Sequence, residues 1–145
     1  MIDFSRYFMP GERIFLENVN YEVTKPQAGR LKMQCRDTIV ARLISDRGVK
    51  ITFNRALTFE PEGPFYLSVS FSAVVNFRPE TKDEVDWHSI DIAGELRRSG
   101  GALLSALSSR TAMLIAEITG ASGSTPIITS GVSPKKAEDS EVDEP

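Results

Sequence analysis

Histidine and cysteine, from which many catalytic and metal sites are built, are scarce in this chain, and no catalytic motif is found among its other residues. The 145 residues include one histidine and one cysteine. A single cysteine rules out an internal disulfide and a cysteine-based zinc site. A single histidine leaves little for a histidine-built metal site or a serine hydrolase. Asp86 and His88 are two residues apart, and such side chains point in different directions on a helix. We therefore expect His88 to be a surface residue.

The glycine-rich segment from Gly120 to Pro126, GASGSTP, has the composition of a phosphate-binding loop but not its pattern. It lacks the lysine of a Walker motif, and it follows a predicted helix instead of preceding one. A helix C-cap and a turn account for it. Cys35 is expected to be a small apolar residue in a strand. The chain is thus predicted not to be an enzyme and to use no cofactor or metal, while an enzyme that uses His88 with nearby acids stays as a third hypothesis.

The net charge of −3 is concentrated at the C-terminal end. Residues 134–145, PKKAEDSEVDEP, contain two lysines and five acidic residues, and removing them from the chain's 17 basic and 20 acidic residues leaves 15 of each. A neutral body with scattered arginines argues against a nucleic-acid-binding protein. The acidic segment has too few apolar residues to fold. We expect a single domain over 1–133 and a disordered acidic tail over 134–145.

Neither a targeting segment nor a membrane span is predicted. The N-terminal residues MIDFSRYFMPGER have an acid at position 3 and no long apolar run, unlike a signal peptide. The longest uncharged stretch, from Ile118 to Pro134, is rich in Ser, Thr, Gly and Pro, unlike a membrane helix. The expectation is a soluble cytoplasmic protein without membrane insertion.

Alternating apolar and polar residues predict four strands. Residues 12–24 alternate in two halves of opposite parity, which a bulge near Glu17 would reconcile. A second strand begins at Leu31, and the pattern leaves its end open. Residues 49–59 and 65–77 alternate most regularly, and the turn between them predicts an antiparallel hairpin. On the apolar side of 49–59, Arg55 is the only exception.

The other side of the strand 65–77 carries hydroxyl groups and no charge. It presents Tyr66, Ser68, Ser70, Ser72, Val74 and Asn76. A plainly solvated face would usually include lysine or glutamate. Two interpretations stay open, namely a mildly polar exposed face and a face partly covered by another layer or chain.

Two helices are predicted after the strands. The first follows Asp86 as a possible N-cap and ends at Ser99. The second spans about 102–119, and Arg110 is its only charged residue between Gly101 and Ala116. A helix that is nearly apolar all round is buried on both sides, and one four-stranded sheet covers only one. The small-residue stripe therefore predicts a homo-oligomer, a dimer or a dimer of dimers, with an interface of Ala102, Ala106, Ser109 and Met113.

The order of these elements resembles the SecB export-chaperone family. The match is best over residues 90–128, where IDIAGEL is followed by a glycine pair, a helix with Arg110 near its middle, and TGASGSTPII. The resemblance implies an α+β fold, in which a four-stranded antiparallel sheet precedes a short helix and a long low-charge helix. It also implies tetramers that sandwich their long helices between sheets. Classical members have a second C-terminal helix beside the groove for unfolded chains, and residues 129–145 predict none.

This resemblance implies an ATP-independent chaperone, or holdase, that binds unfolded or precursor polypeptides. An export motor is one implied partner, and an antitoxin protected from aggregation is another. The alternative is an adaptor or regulatory protein with one fixed protein partner. The candidate peptide-binding residues are apolar side chains that flank the first connection and the end of the fold, namely Tyr21, Val23, Leu31, Met33, Ile127 and Ile128.

Overall fold

The computed structural model has an α+β architecture, with one antiparallel sheet and helices on one of its sides. It describes residues 2–24, 32–61, 63–99, 101–121 and 125–129. The elements are α1 (Phe4–Tyr7), β1 (Arg13–Val23), β2 (Lys32–Ile44), β3 (Gly48–Glu60), β4 (Phe65–Asn76), α2 (Ile92–Ser99) and α3 (Gly101–Ala121). The predicted fold class is confirmed. Leu31 and the segment 134–145 lie outside the described residues, so the division of the chain into 1–133 and a tail stays a prediction.

The four strands lie in the order β1-β4-β3-β2, and every neighbouring pair is antiparallel. The predicted hairpin of β3 and β4 is confirmed, with Phe53 opposite Phe71 and Leu57 opposite Leu67. The predicted bulge is also present, because the pairing of β1 with β4 shifts between Leu16 and Asn18. The strand whose end the sequence left open pairs with β3 along its whole length. β1 and β2 are the two edge strands.

The hydrophobic core lies between one side of the sheet and the helices. Alternate residues of β3 and β4 face this side, since the side-chain period of a strand is two. Leu104, Leu107 and Ile115 of α3 pack against them. Burying each such side chain contributes about 1.5–3 kcal/mol. The apolar sheet residues that are buried are Ile39, Val49, Ile51, Phe53, Leu57, Phe65, Leu67, Val69, Phe71, Ala73 and Val75.

The N-terminal residues complete one end of this core, which the sequence did not predict. Phe8 stacks on Phe77 with ring centroids 5.2 Å apart and contacts Trp87 at 5.4 Å. The indole nitrogen of Trp87 donates a hydrogen bond of 2.9 Å to the carbonyl of Lys82. The segment before β1 is therefore part of the domain.

The start of the first predicted helix was placed too early. Asp86 does accept a hydrogen bond from a backbone N–H, that of His88 at 3.2 Å, but it caps only the 3₁₀ turn Trp87–Ser89. The chain then extends, and Asp91 accepts from the backbone N–H of Gly94 at 3.1 Å at the beginning of α2. The helix therefore begins five residues later than predicted, with Asp91 and not Asp86 as its capping residue.

The long helix extends one residue before and two residues beyond the predicted range of about 102–119. Within the described residues, α3 is the one helix that is long and apolar enough to span a membrane. The core helix of a soluble protein can have the same length and hydropathy. One side of α3 packs against β3 and β4. Its buried side includes Ser108 and Thr119, while Leu103 and Leu114 are only half-buried.

Candidate functional site

A buried ion pair lies on the helix-facing side of the sheet. Arg55 of β3 stands directly opposite Asp37 of β2. Its Nε donates to Oδ1 of Asp37 at 2.7 Å, and its Nη2 donates to Oδ2 at 3.1 Å. Both side chains are buried. Two parallel hydrogen bonds match the planar guanidinium to the carboxylate, which fixes the orientation of the arginine.

The segment that follows α3 lies against this pair. Nη1 of Arg55 donates a hydrogen bond of 2.7 Å to the hydroxyl of Thr129. The backbone N–H of Ile127 donates to the hydroxyl of Thr119 at 2.8 Å, and its side chain packs on the core. At Gly120 an added Cβ would lie 3.1 Å from Cγ of Pro126, so the proline passes close to the helix end. Residues 125–129 thus return along the helix-facing side of the sheet without regular secondary structure.

Three candidate peptide-binding residues meet at one end of the same side of the sheet. Val23 lies opposite Phe65, and Met33 lies opposite Phe59. The rings of Phe59 and Phe65 are 5.1 Å apart, and the ring of Tyr21 is 5.6 Å from Phe65. Val23 is 75% exposed and Met33 is 40% exposed. We call this apolar end of the sheet, formed by Tyr21, Val23, Met33, Phe59 and Phe65, the aromatic end.

The other candidates lie farther along the chain. Ile127 is half-buried, and Ile128 is 79% exposed. Arg55 and Phe59 share a side of β3 and are four residues apart, about 13 Å along the strand. The segment 125–129 and the aromatic end therefore occupy the same side of the sheet. The sequence analysis did not choose Arg55 or Asp37, although a lone arginine on an alternating apolar face was the signal for them.

The opposite side of the sheet carries a network of polar hydrogen bonds. Ser72 is paired with Thr52 at 2.8 Å and donates to Oε1 of Glu17 at 2.8 Å. Nδ2 of Asn54 donates to the hydroxyls of Ser68 and Ser70. The serine hydroxyls of β4 thus have hydrogen-bond partners on the neighbouring strands, which accounts for the uncharged polar side of β4. No helix of the described chain covers this side, so the prediction of a covering partner chain stays untested.

Glu17 links this network to a cation. Nζ of Lys50 lies 2.5 Å from Oε1 of Glu17. The hydrogen bond from Lys50, followed by that from Ser72, holds the pKa of the Glu17 carboxyl below its ordinary value. Because Glu17 sits at the bulge of β1, the pair ties an edge strand to the centre of the sheet.

The residues first considered for catalysis do not assemble. Asp86 accepts from the backbone N–H of His88, and His88 is exposed. Cys35 is also exposed, with its Sγ 4.0 Å from Oδ1 of Asp37. Among the residues that the structure describes, no cluster of three or more His, Cys, Asp or Glu side chains is placed to hold a metal ion.

The outward side of α3 carries the stripe predicted as an oligomer interface. Ala102 and Ser109 are exposed, Ala106 is half-buried, and Met113 is 64% exposed. This side faces away from the sheet. Nothing in the described chain covers it, and its role as an interface stays a prediction.

An apolar cavity of about 340 Å³ lies at the other end of the domain. Phe4 and Phe8 line it from the N-terminal segment, and Leu96 and Leu103 line it from α2 and α3. It is remote from the aromatic end, since Val75 of β4 is among its lining residues and Phe65 begins that strand.

The sheet order and the helices that follow it define an α+β fold. No protein-family model matches the chain, and no curated protein matches it. Among solved structures, the chain is similar to the SecB-like chaperone Rv1957 of Mycobacterium tuberculosis, solved in complex with a ChAD peptide from the HigA1 antitoxin, Rv1956. The sequence identity is 13%, the TM-score is 0.60, and the match covers 83% of this chain and 88% of that one. This similarity shows the SecB-like fold.

Proposed function

We propose that this protein is an ATP-independent chaperone that binds unfolded or non-native polypeptide. The observation that carries the proposal is the aromatic end, an exposed apolar surface on a SecB-like sheet. Val23 and Met33 stand at opposite edges of the sheet with two phenylalanine rings between them. Apolar segments of an unfolded chain lose contact with water when they bind there, which is a non-directional and therefore sequence-tolerant attraction.

The edge strands add a second mode of attachment. β1 and β2 each present one side of their backbone beyond the sheet. An extended chain can add to such an edge through main-chain hydrogen bonds, which do not depend on its sequence. Binding of this kind needs no nucleotide and no bond cleavage, and the proposal therefore includes no enzymatic activity.

The solved neighbour supports polypeptide as the class of partner, because it was captured with an antitoxin peptide. We propose that its clients are cytoplasmic polypeptides. They are either an aggregation-prone antitoxin or the precursors of exported proteins. We further propose that the protein acts as a homo-oligomer, a dimer or a tetramer, joined through the outward side of α3. An export motor is a proposed partner only if the clients are precursors of exported proteins.

Calorimetry with a model protein in its reduced, unfolded form and in its native form tests the proposal. We expect binding of the unfolded form alone, with a negative heat-capacity change and little salt dependence, because apolar surface is buried. Equal affinity for both forms, or no binding at tens of micromolar, would contradict it. Saturable capture of a single partner instead of many unfolded chains would favour the adaptor.

A matched pair of variants locates the surface. Val23→Ser with Met33→Ser removes two apolar side chains from the aromatic end, and we expect about tenfold weaker binding of the unfolded protein. The control is Val40→Ser, since Val40 is 53% exposed on the opposite side of the sheet. An equal loss of affinity in the double variant and in Val40→Ser would show that the binding surface is not the aromatic end.

A further inference from the structure

Arg55 stands on an otherwise apolar side of β3, and its Nη1 donates a hydrogen bond to the segment after α3. We propose that Arg55 is a polypeptide-binding residue, and that residues 125–129 occupy its binding position until a client displaces them. The inference rests on the proposed chaperone function and names a site within it. The client class is an extended, apolar segment that offers Arg55 an uncharged oxygen acceptor.

The segment 125–129 has the properties of such a client. It lacks helix and strand structure, it packs one isoleucine on the core, and it leaves the next one exposed. Two side chains of the body hold it through hydrogen bonds, Thr119 at the backbone of Ile127 and Arg55 at the hydroxyl of Thr129. An extended peptide of different sequence can form bonds of the same kind.

The charge at the site selects the acceptor. Asp37 accepts from Nε and Nη2 and balances the charge of the guanidinium. A buried N–H group is costly to deprive of an acceptor, and a client that replaces Thr129 keeps this hydrogen bond when it brings an oxygen to Nη1, which is the requirement of the site. Because the pair of Asp37 and Arg55 has no net charge, it does not offset the free-energy cost of removing a second carboxylate from water. Backbone carbonyls, which every extended chain presents, and hydroxyls meet the requirement, and acidic side chains do not.

Asp37 is a positioning residue in this arrangement. Its two carboxylate oxygens hold the plane of the guanidinium, so that Nη1 is directed at Thr129. Arg55 thereby presents a donor of fixed direction on a side of the sheet that also carries the aromatic end. A client bound at Phe59 would pass Arg55 within about four residues of extended chain.

The test compares two threonines of the same segment. Thr129→Val removes the hydroxyl that Arg55 bonds and weakens the internal occupant without changing the client-bound state. We expect the Kd for an unfolded, uncharged apolar peptide to fall about fivefold, the equivalent of one hydrogen bond. Thr125→Val is the control, because Thr125 is exposed in the same segment, and its Kd should equal that of the wild type. An unchanged or raised Kd in Thr129→Val would overturn the inference.

Methyl NMR separates this inference from the proposed function. On saturation with the same peptide, the chemical shifts of the Ile127 methyl groups should change because the side chain leaves the core. Those of Ile51 in the core should stay the same. If the peptide binds and the signals of Ile127 do not change, the proposed displacement of residues 125–129 is wrong, but the proposed chaperone function still stands. Absence of peptide binding by wild type and both variants would reject both proposals. Arg55→Lys, which keeps the charge but loses the planar fork, should raise the Kd, and an unchanged Kd in that folded variant would also contradict the role of Arg55.

Discussion

Asp37 and Arg55 face each other on neighbouring strands, 18 residues apart in the chain, and form a two-point ion pair inside the apolar side of the sheet. Their register places the only buried charges of β2 and β3 directly opposite each other. A slip of β2 by one residue would turn Asp37 to the other side of the sheet and leave Arg55 on the apolar side without its carboxylate. The pair is therefore compatible with this register of β2 and not with its neighbours.

Removing one member of the pair should be strongly destabilising. Asp37→Ala leaves a buried guanidinium without its counter-charge, and we expect the free energy of unfolding to fall by about 3–5 kcal/mol. Urea denaturation followed by circular dichroism measures it. The matched control is the double variant Asp37→Leu with Arg55→Met, which should lose much less, since no buried charge remains. A double variant as unstable as Asp37→Ala would show that packing and not charge dominates.

A charge on the outward side of α3 should separate the protomers. In Met113→Glu, or in Ala106→Glu, an unpaired carboxylate would enter an apolar interface, which is costly. Sedimentation should show an oligomer for the wild type and a monomer for the variants. Val40→Glu is the control, because it places the same charge at an exposed valine on the far side of the sheet. A wild type that sediments as a monomer at high micromolar concentration would contradict the proposed oligomer.

The acidic segment should not contribute to folding stability. Deletion of 134–145 removes a stretch with almost no apolar surface to bury, so the Tm should stay nearly unchanged. Deletion of 125–145 is the comparison, because it also removes Ile127 from the core and Thr129 from Arg55. We expect a clear fall in Tm for the longer deletion alone. A fall of more than a few degrees on the shorter deletion would show that this segment docks on the domain.

Acid should loosen the N-terminal segment through Glu95. Its carboxylate accepts from Arg98 at 2.8 Å and from the backbone N–H of Ile2 at 2.8 Å, and these bonds lower the pKa of Glu95 from its ordinary value. A lowered pKa stabilises the folded state above the ordinary value, and the contribution is lost as the pH falls towards the folded-state pKa. Thermal scans of wild type and Glu95→Gln should differ at about pH 7, and the difference in Tm should shrink at a lower pH, below the ordinary pKa of glutamate. A difference that persists at the lower pH would exclude ionisation as its cause.

The regular strands were predictable because their signal is local. The parity break in β1 indicated the bulge at Glu17, and the alternation along β3 and β4 indicated the hairpin. The end of β2 was not predictable, because Ile39, Val40, Leu43 and Ile44 suit a strand and a helical turn equally well. Pairing with β3 decided for the strand.

Other features depended on neighbours that no local pattern reveals. Phe8 lies in a short, aperiodic N-terminal stretch, and Phe77 and Trp87 are what bury it. Asp86 has the side chain of a helix cap and forms a capping bond, but the turn that it caps ends after three residues. The candidate residues Tyr21, Val23 and Met33 do come together, since both edge strands end beside Phe59 and Phe65.

The amino-acid sequence was enough to predict the four alternating strands and the low-charge helix, since side-chain period and residue type act over a few neighbours. The tertiary structure decided that β1 pairs with β4 and that the chain after α3 returns to the sheet. Arg55 and Thr129 are 74 residues apart, and their contact depends on the direction in which α3 leaves the sheet. Contacts at such separation arise from packing the whole domain, and for this reason only the structure placed the arginine, its carboxylate and the returning segment together.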